Sequence, residues 1–186
     1  MRLFVGLALS EEAKAALERL TLRLRAAEDG LRWSSPEQWH ITLVFLGTVE
    51  REPLKGLQRG LRRLALPEVE LRIDGAGTFE RAGVLYAAVE VTAGLARLQQ
   101  AVAKVVRASE IAMEERPYHP HITLARSRNR SGGRTLERLK RTLVQQRVRA
   151  VWTAGEFLLY ESEISASGSR YRVVERYGLG ERCSEG

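Results

Sequence analysis

His40-Ile41-Thr42-Leu43 and His121-Ile122-Thr123-Leu124 are one tetrapeptide written twice, 81 positions apart (121 minus 40), in a chain with only three histidines. Each copy lies in an apolar, β-branched run, Trp39 to Leu46 ahead of Gly47 and His121 to Arg126 ahead of a polar stretch. Runs of this kind read as strands. Side chains alternate across a strand, so His40 and Thr42 share one face and Ile41 and Leu43 the other, and the second copy repeats the pattern. Each motif is a polar edge backed by core. One histidine in a strand is usually a satisfied structural residue. Two in matched settings predict two similar lobes facing across a cleft, with both imidazoles on one substrate.

In-line displacement at phosphorus wants such a pair: a base to deprotonate the attacking water or hydroxyl and an acid to protonate the departing oxygen. Histidine does either near neutral pH, and a pair working together gives a bell-shaped pH profile. The hydroxyls of Thr42 and Thr123 can donate to nonbridging phosphate oxygens, and Arg126, two residues past Leu124, brings charge to stabilise the developing anion. A metal is the competing use of these rings. His119-Pro120-His121 with His40 supplies imidazoles, but the carboxylate or cysteine companions usual at such sites are not evident nearby, so no metal is expected. His119 flanks Pro120 and is left out of the proton transfers.

Outward from the motifs, Arg2 to Leu9 reads as a buried strand. Ser10 caps a helix to about Ala27, with Glu11 and Glu12 at its positive end and Leu17, Leu20 and Leu24 on one face. Arg19, Arg23 and Arg25 fall on its solvent side. Asp29-Gly30 is a turn and Trp33-Ser34-Ser35-Pro36 a connector. Helices are predicted over Pro53 to Ala65, Leu95 to Ala108 and Arg134 to Gln146. Strands are predicted over Val69 to Ile73, Val84 to Val91, Ala150 to Tyr160 and Tyr171 to Tyr177. Gly75-Ala76-Gly77 reads as a turn and Ser127 to Gly133 as a polar loop whose neighbouring arginines, Arg126, Arg128, Arg130 and Arg134, could meet a polynucleotide. No low-complexity linker divides the chain.

The 186 residues are 44% hydrophobic and 28% charged, the balance of a globular protein rather than a disordered or collagenous one. A formal charge of +7, carried mainly by arginine, fits an anionic substrate without identifying it. No apolar run reaches the length of about 20 residues that a membrane helix needs, and the start lacks a secretory signal, so a cytoplasmic protein is expected. Cys183 is the only cysteine, which excludes an internal disulfide and a cysteine metal cluster.

Several stretches together resemble a known family: Arg2-Leu3-Phe4-Val5-Gly6-Leu7, Trp33 and Pro36 before His40-Ile41-Thr42-Leu43, Phe45-Leu46-Gly47 after it, Pro120-His121-Ile122-Thr123-Leu124-Ala125-Arg126, and Leu159-Tyr160-Glu161-Ser162. The chain is similar to the RNA 2′,3′-cyclic phosphodiesterases of the two-histidine phosphoesterase superfamily, formerly described as bacterial and archaeal 2′-5′ RNA ligases. The resemblance implies an α+β fold of two pseudo-symmetric lobes, each an antiparallel sheet with helices packed outside, flanking a central cleft. It implies that residues 1–186 form one domain of two intertwined lobes. It also implies an enzyme that opens RNA 2′,3′-cyclic phosphate ends to 2′-phosphomonoesters without a cofactor, as a monomer.

Carried onto these positions, the family's mechanism makes His40 the proton donor to the leaving 3′ oxygen and His121 the acceptor that activates water. The symmetry of the motifs does not by itself assign those roles. Thr42, Thr123 and Arg126 would hold the cyclic phosphate. Phe45 and Tyr118 are the candidates for stacking on the terminal base, although strict alternation turns Phe45 away from His40 and into the core. The chain departs from the commonest family pattern in Tyr118-His119 before Pro120 and in a polar tail from Glu181 to Gly186. Two alternatives stand beside hydrolysis of a cyclic end: 2′-5′ ligation or cleavage of another nucleotide phosphodiester within the same fold, and a noncatalytic RNA-binding module.

Overall fold

Five consecutive buried residues make the first apolar run a central strand, β1 (Arg2–Ala8), which pairs on both sides in the computed structural model. That structure describes residues 1–26, 30–113, 117–128, 130–143, 148–165 and 168–180. Helix α1 (Glu11–Leu24) starts where expected, with the Ser10 hydroxyl accepting from the Ala13 N–H at 3.2 Å and Leu17, Leu20 and Leu24 buried. The chain continues through β2 (Leu31–Trp33), a 3-10 turn (Pro36–Gln38), β3 (His40–Thr48), α2 (Arg51–Arg62), β4 (Val69–Phe79), β5 (Val84–Val89) and α3 (Ala93–Ala108). It closes with β6 (His121–Ser127), α4 (Arg130–Leu143), β7 (Arg149–Ala154), β8 (Glu156–Ser165) and β9 (Gly168–Gly178).

The strands form two antiparallel sheets, β3-β1-β8-β9 and β2-β6-β5-β4-β7. One strand–helix–strand unit recurs in both. In β1-α1-β3, Ala8 pairs with His40, and in β5-α3-β6, Ala88 pairs with His121. The connecting helices cross over: α1 leaves the first sheet and packs on β7 of the second, while α3 leaves the second and packs on β3 of the first as well as on β4. The motif strands β3 and β6 meet although they belong to different sheets. A continuous core joins Val5, Ile41 and Phe157 from one sheet to Leu71, Leu85 and Ile122 from the other. The fold is thus α+β, with two related antiparallel sheets and helices outside.

Four expectations need correction. Gly75-Ala76-Gly77 is no turn but the bulged middle of β4, where the register slips between Ile73 and Ala76 and Gly75 takes φ +88°. Glycine in a strand marks a bulge or a close approach as readily as a turn. The stretch Ala150 to Tyr160 is two strands, because Gly155 breaks the run and lets the chain pass from one sheet to the other. The expected loop Ser127 to Gly133 is largely the end of β6 and the start of α4. There a Cβ on Gly132 would stand 2.3 Å from the Gly30 carbonyl oxygen, so the residue that reads as a helix breaker is the one that lets the helix approach. Between the turn at Gly30 and the connector that begins at Trp33 lies an unexpected strand, β2, too short to carry a readable pattern, whose last residue is Trp33. The expected ends at Ala27 and Gln146, the Asp29 half of the turn, Cys183 and the tail from Glu181 lie outside the described residues. No described helix is long and apolar enough to cross a membrane.

Candidate active site

Both histidines stand at the first residue of their strand, and both are oriented by main chain two residues upstream. His40 Nδ1 lies 2.8 Å from the Gln38 carbonyl oxygen, and His121 Nδ1 lies 2.8 Å from the His119 carbonyl oxygen. A carbonyl only accepts, so each Nδ1 carries the hydrogen and each neutral ring keeps its Nε2 lone pair. His119, exposed at the side chain, therefore contributes its backbone. Aromatic rings fix the orientations. His40 lies against Phe4 at 4.6 Å between centroids and meets Tyr171 edge-on at 4.7 Å. His121 meets Phe79 and Tyr86 edge-on at 5.1 and 5.7 Å, and those two rings stack on each other at 4.1 Å.

A cleft of about 550 Å³ brings together His40, Thr42 and Phe45 from β3 with His121, Thr123 and Arg126 from β6. Strict alternation puts neither Phe45 nor Arg126 there, since each lies five residues past its histidine. A β-bulge makes the difference in both strands. The register slips where Val5 and Gly6 face Val44 and Thr42, and again where Leu85 and Tyr86 face Ala125 and Thr123. The extra residue, Leu43 or Leu124, leaves two consecutive buried positions and resets the faces. Phe45 is consequently 63% exposed, not a core residue, and Phe45 and Arg126 occupy equivalent places in the two lobes. Tyr118 is the opposite case. It packs half-buried against the core and does not line the cleft. Its hydroxyl has no hydrogen-bond partner among the described residues, and burial raises its pKa.

Burial also sets the protonation of the imidazoles. His40 is pulled down to about 4, first by loss of solvent and then by the charges of His121 and Arg126, against the opposing pull of the Gln38 carbonyl. His121 is lowered for the same leading reason, with Arg126 and His119 adding to it and the His119 carbonyl opposing. Without a ligand, the site favours two neutral rings beside a cation, an arrangement an anion would stabilise. The described lining of the cleft includes no Asp or Glu. Sequence reasoning did not single out Phe4, Phe79, Tyr86 and Tyr171, since the rings behind the histidines come from distant strands.

The 2′-5′ RNA ligase superfamily model matches residues 8–163. The chain is 32% identical to the RNA 2′,3′-cyclic phosphodiesterase of Thermus thermophilus, over 96% of this chain and 90% of that one. It is 29% identical to the enzyme of the same name from Escherichia coli, over 75% of each. The crystal structure of Escherichia coli LigT complexed with 3′-AMP superposes with a TM-score of 0.81 and 26% identity, covering 97% of this chain and 98% of that one. With the family model spanning most of its length, this chain belongs to the 2′-5′ RNA ligase superfamily.

Proposed function

We propose that this protein hydrolyses RNA 2′,3′-cyclic phosphate ends to 2′-phosphomonoesters, using His121 as base and His40 as acid and no metal. The observation that carries the reading is the matched pair of imidazoles, each with Nδ1 committed to a carbonyl and Nε2 left for the cleft, beside a threonine of the same face. Relatives named for this reaction support it. In the proposed step, His121 Nε2 takes a proton from water, and the oxygen attacks phosphorus in line with the 3′ oxygen. His40, which takes up a proton on Nε2 from solvent as the anionic phosphate binds, gives it to the departing oxygen as the P–O3′ bond breaks. Thr42, Thr123 and Arg126 hold the nonbridging oxygens, and Phe45 offers an exposed ring to the terminal base. His121 leaves the cycle protonated and His40 neutral, and exchange with solvent resets them. The proposal is for a single domain acting as a monomer in the cytoplasm.

The test is incubation of chelator-treated protein with an RNA ending in a 2′,3′-cyclic phosphate, followed by identification of the terminal phosphate. A 2′-phosphate is expected. A 3′-phosphate overturns the leaving-group assignment, and activity that depends on added metal overturns the histidine-only mechanism. The family model's name keeps 2′-5′ ligation as a second reading. It is the same displacement in the same cleft with an RNA 5′-hydroxyl in place of water as the nucleophile, and adding a second RNA with a free 5′-hydroxyl would show it as a longer product.

A further inference from the structure

Arg126 is not the only cation in the cleft. Arg32 on β2 and Arg2 on β1 also line it, and among the described residues no carboxylate pairs with any of the three. Arg32 is the direct register partner of Arg126 across the β2–β6 ladder. Like charges placed opposite each other on neighbouring strands are destabilising, and this pair has no acidic neighbour in the described lining to offset it. The arrangement is unfavourable alone and favourable around anions.

The count of charges exceeds what one phosphate calls for. A terminal cyclic phosphate carries a single negative charge, and the two threonines with Arg126 already supply donors for its two nonbridging oxygens. Arg32 stands one strand farther out, a displacement of about 4.8 Å from β6 on the side away from β5, on the scale of one nucleotide step. Arg2 rises from the other sheet. It pairs with Thr48, toward the far end of β3 from His40.

We propose that Arg32, assisted by Arg2 from the facing wall, binds the internucleotide phosphate immediately 5′ of the reacting end, making an oligonucleotide terminus the preferred substrate over a free nucleoside 2′,3′-cyclic phosphate. This assignment rests on the cyclic phosphodiesterase reading above. Arginine suits the role because its planar fork takes phosphate oxygens in pairs.

The test compares adenosine 2′,3′-cyclic phosphate with the adenosine dinucleotide ending in the same cyclic group. The wild-type protein is expected to favour the dinucleotide in kcat/KM. Arg32→Gln should cut that preference by about tenfold, the value of one charge-assisted contact, with Arg32→Lys retaining part of it and Arg2→Gln losing less. The salt dependence of dinucleotide binding should fall by about one in log–log slope. Without ligand, Arg32→Gln should melt no lower than the wild type, since it removes an opposed charge. An unchanged preference, or equal losses on both substrates, overturns the subsite. If the wild-type protein cleaves neither substrate, the reaction reading fails by itself. Binding of the 2′-phosphorylated dinucleotide against 2′-AMP then decides the subsite, with equal discrimination by wild type and Arg32→Gln overturning it.

Discussion

A ring nitrogen held by a main-chain carbonyl two residues upstream recurs at His40 and His121, and it decides which nitrogen each ring offers to a substrate. Replacing either histidine by alanine removes a proton-transfer partner without touching that carbonyl. Each substitution is expected to lower kcat by about 10²- to 10⁴-fold. Circular dichroism should show native structure in both, and retained turnover in either would separate that ring from the chemistry. Protonation gives a second prediction. His40 sits at about 4 in the ligand-free protein, below its unfolded value of about 6.5. The unfolded state therefore binds more protons over that interval, so the His40 contribution to stability is complete above about pH 6.5 and is lost as pH falls toward 4, by at most roughly 3 kcal/mol. Acid melts of wild type against His40→Gln isolate it, and parallel curves would refute it. A bound phosphate anion raises the same group, so binding near pH 6 should take up protons and weaken as pH rises through the complex's pKa. Calorimetry in two buffers of different ionisation enthalpy measures that uptake, which His40→Gln should lose.

At the scale of elements, the strands are readable as apolar runs, while the face each residue takes is hidden where they bulge. β1, β3, β5 and β6 announce themselves through buried apolar runs. The bulges at Leu43 and Leu124 leave no such mark, because two adjacent apolar residues look the same whether or not the register slips. Strict alternation, correct for an unbroken ladder, therefore turns Phe45, a candidate for base stacking, toward the core, and the bulge turns it back to the cleft. The glycines of β4 illustrate the same limit and yield a prediction. A Cβ on Gly77 would stand 2.7 Å from the Tyr86 hydroxyl, and Tyr86 is one of the two rings against His121. Gly77→Ala should cost about 1–3 kcal/mol of stability through this overpacking and lower kcat by displacing the support of His121. Denaturant melts and turnover read the two effects separately. A neutral result in both would show that Tyr86 can move without consequence.

At the scale of the molecule, α1 packs on the second sheet and α3 reaches across to the first, and most buried side chains of both sheets form one continuous cluster, with Phe4, Leu158 and Tyr160 in a smaller one. Neither lobe closes its core alone. A single calorimetric transition is expected, with the van't Hoff enthalpy equal to the measured one, and two separable transitions would contradict this account. The sequence by itself determined the repeated His-Thr pair, the main strands and helices, the cap at Ser10 and the family resemblance, because local periodicity and short motifs record which residues share a face and which chemistry they carry. Only the tertiary structure decided that bulges turn the candidates Phe45 and Arg126 into the cleft, that Tyr118 does not line it, that Arg32 faces Arg126, and that Phe4, Tyr171, Phe79 and Tyr86 back the histidines. Those facts depend on bulges and on contacts between strands far apart in the chain, and hydrogen-bond register between distant strands leaves no period in a linear sequence.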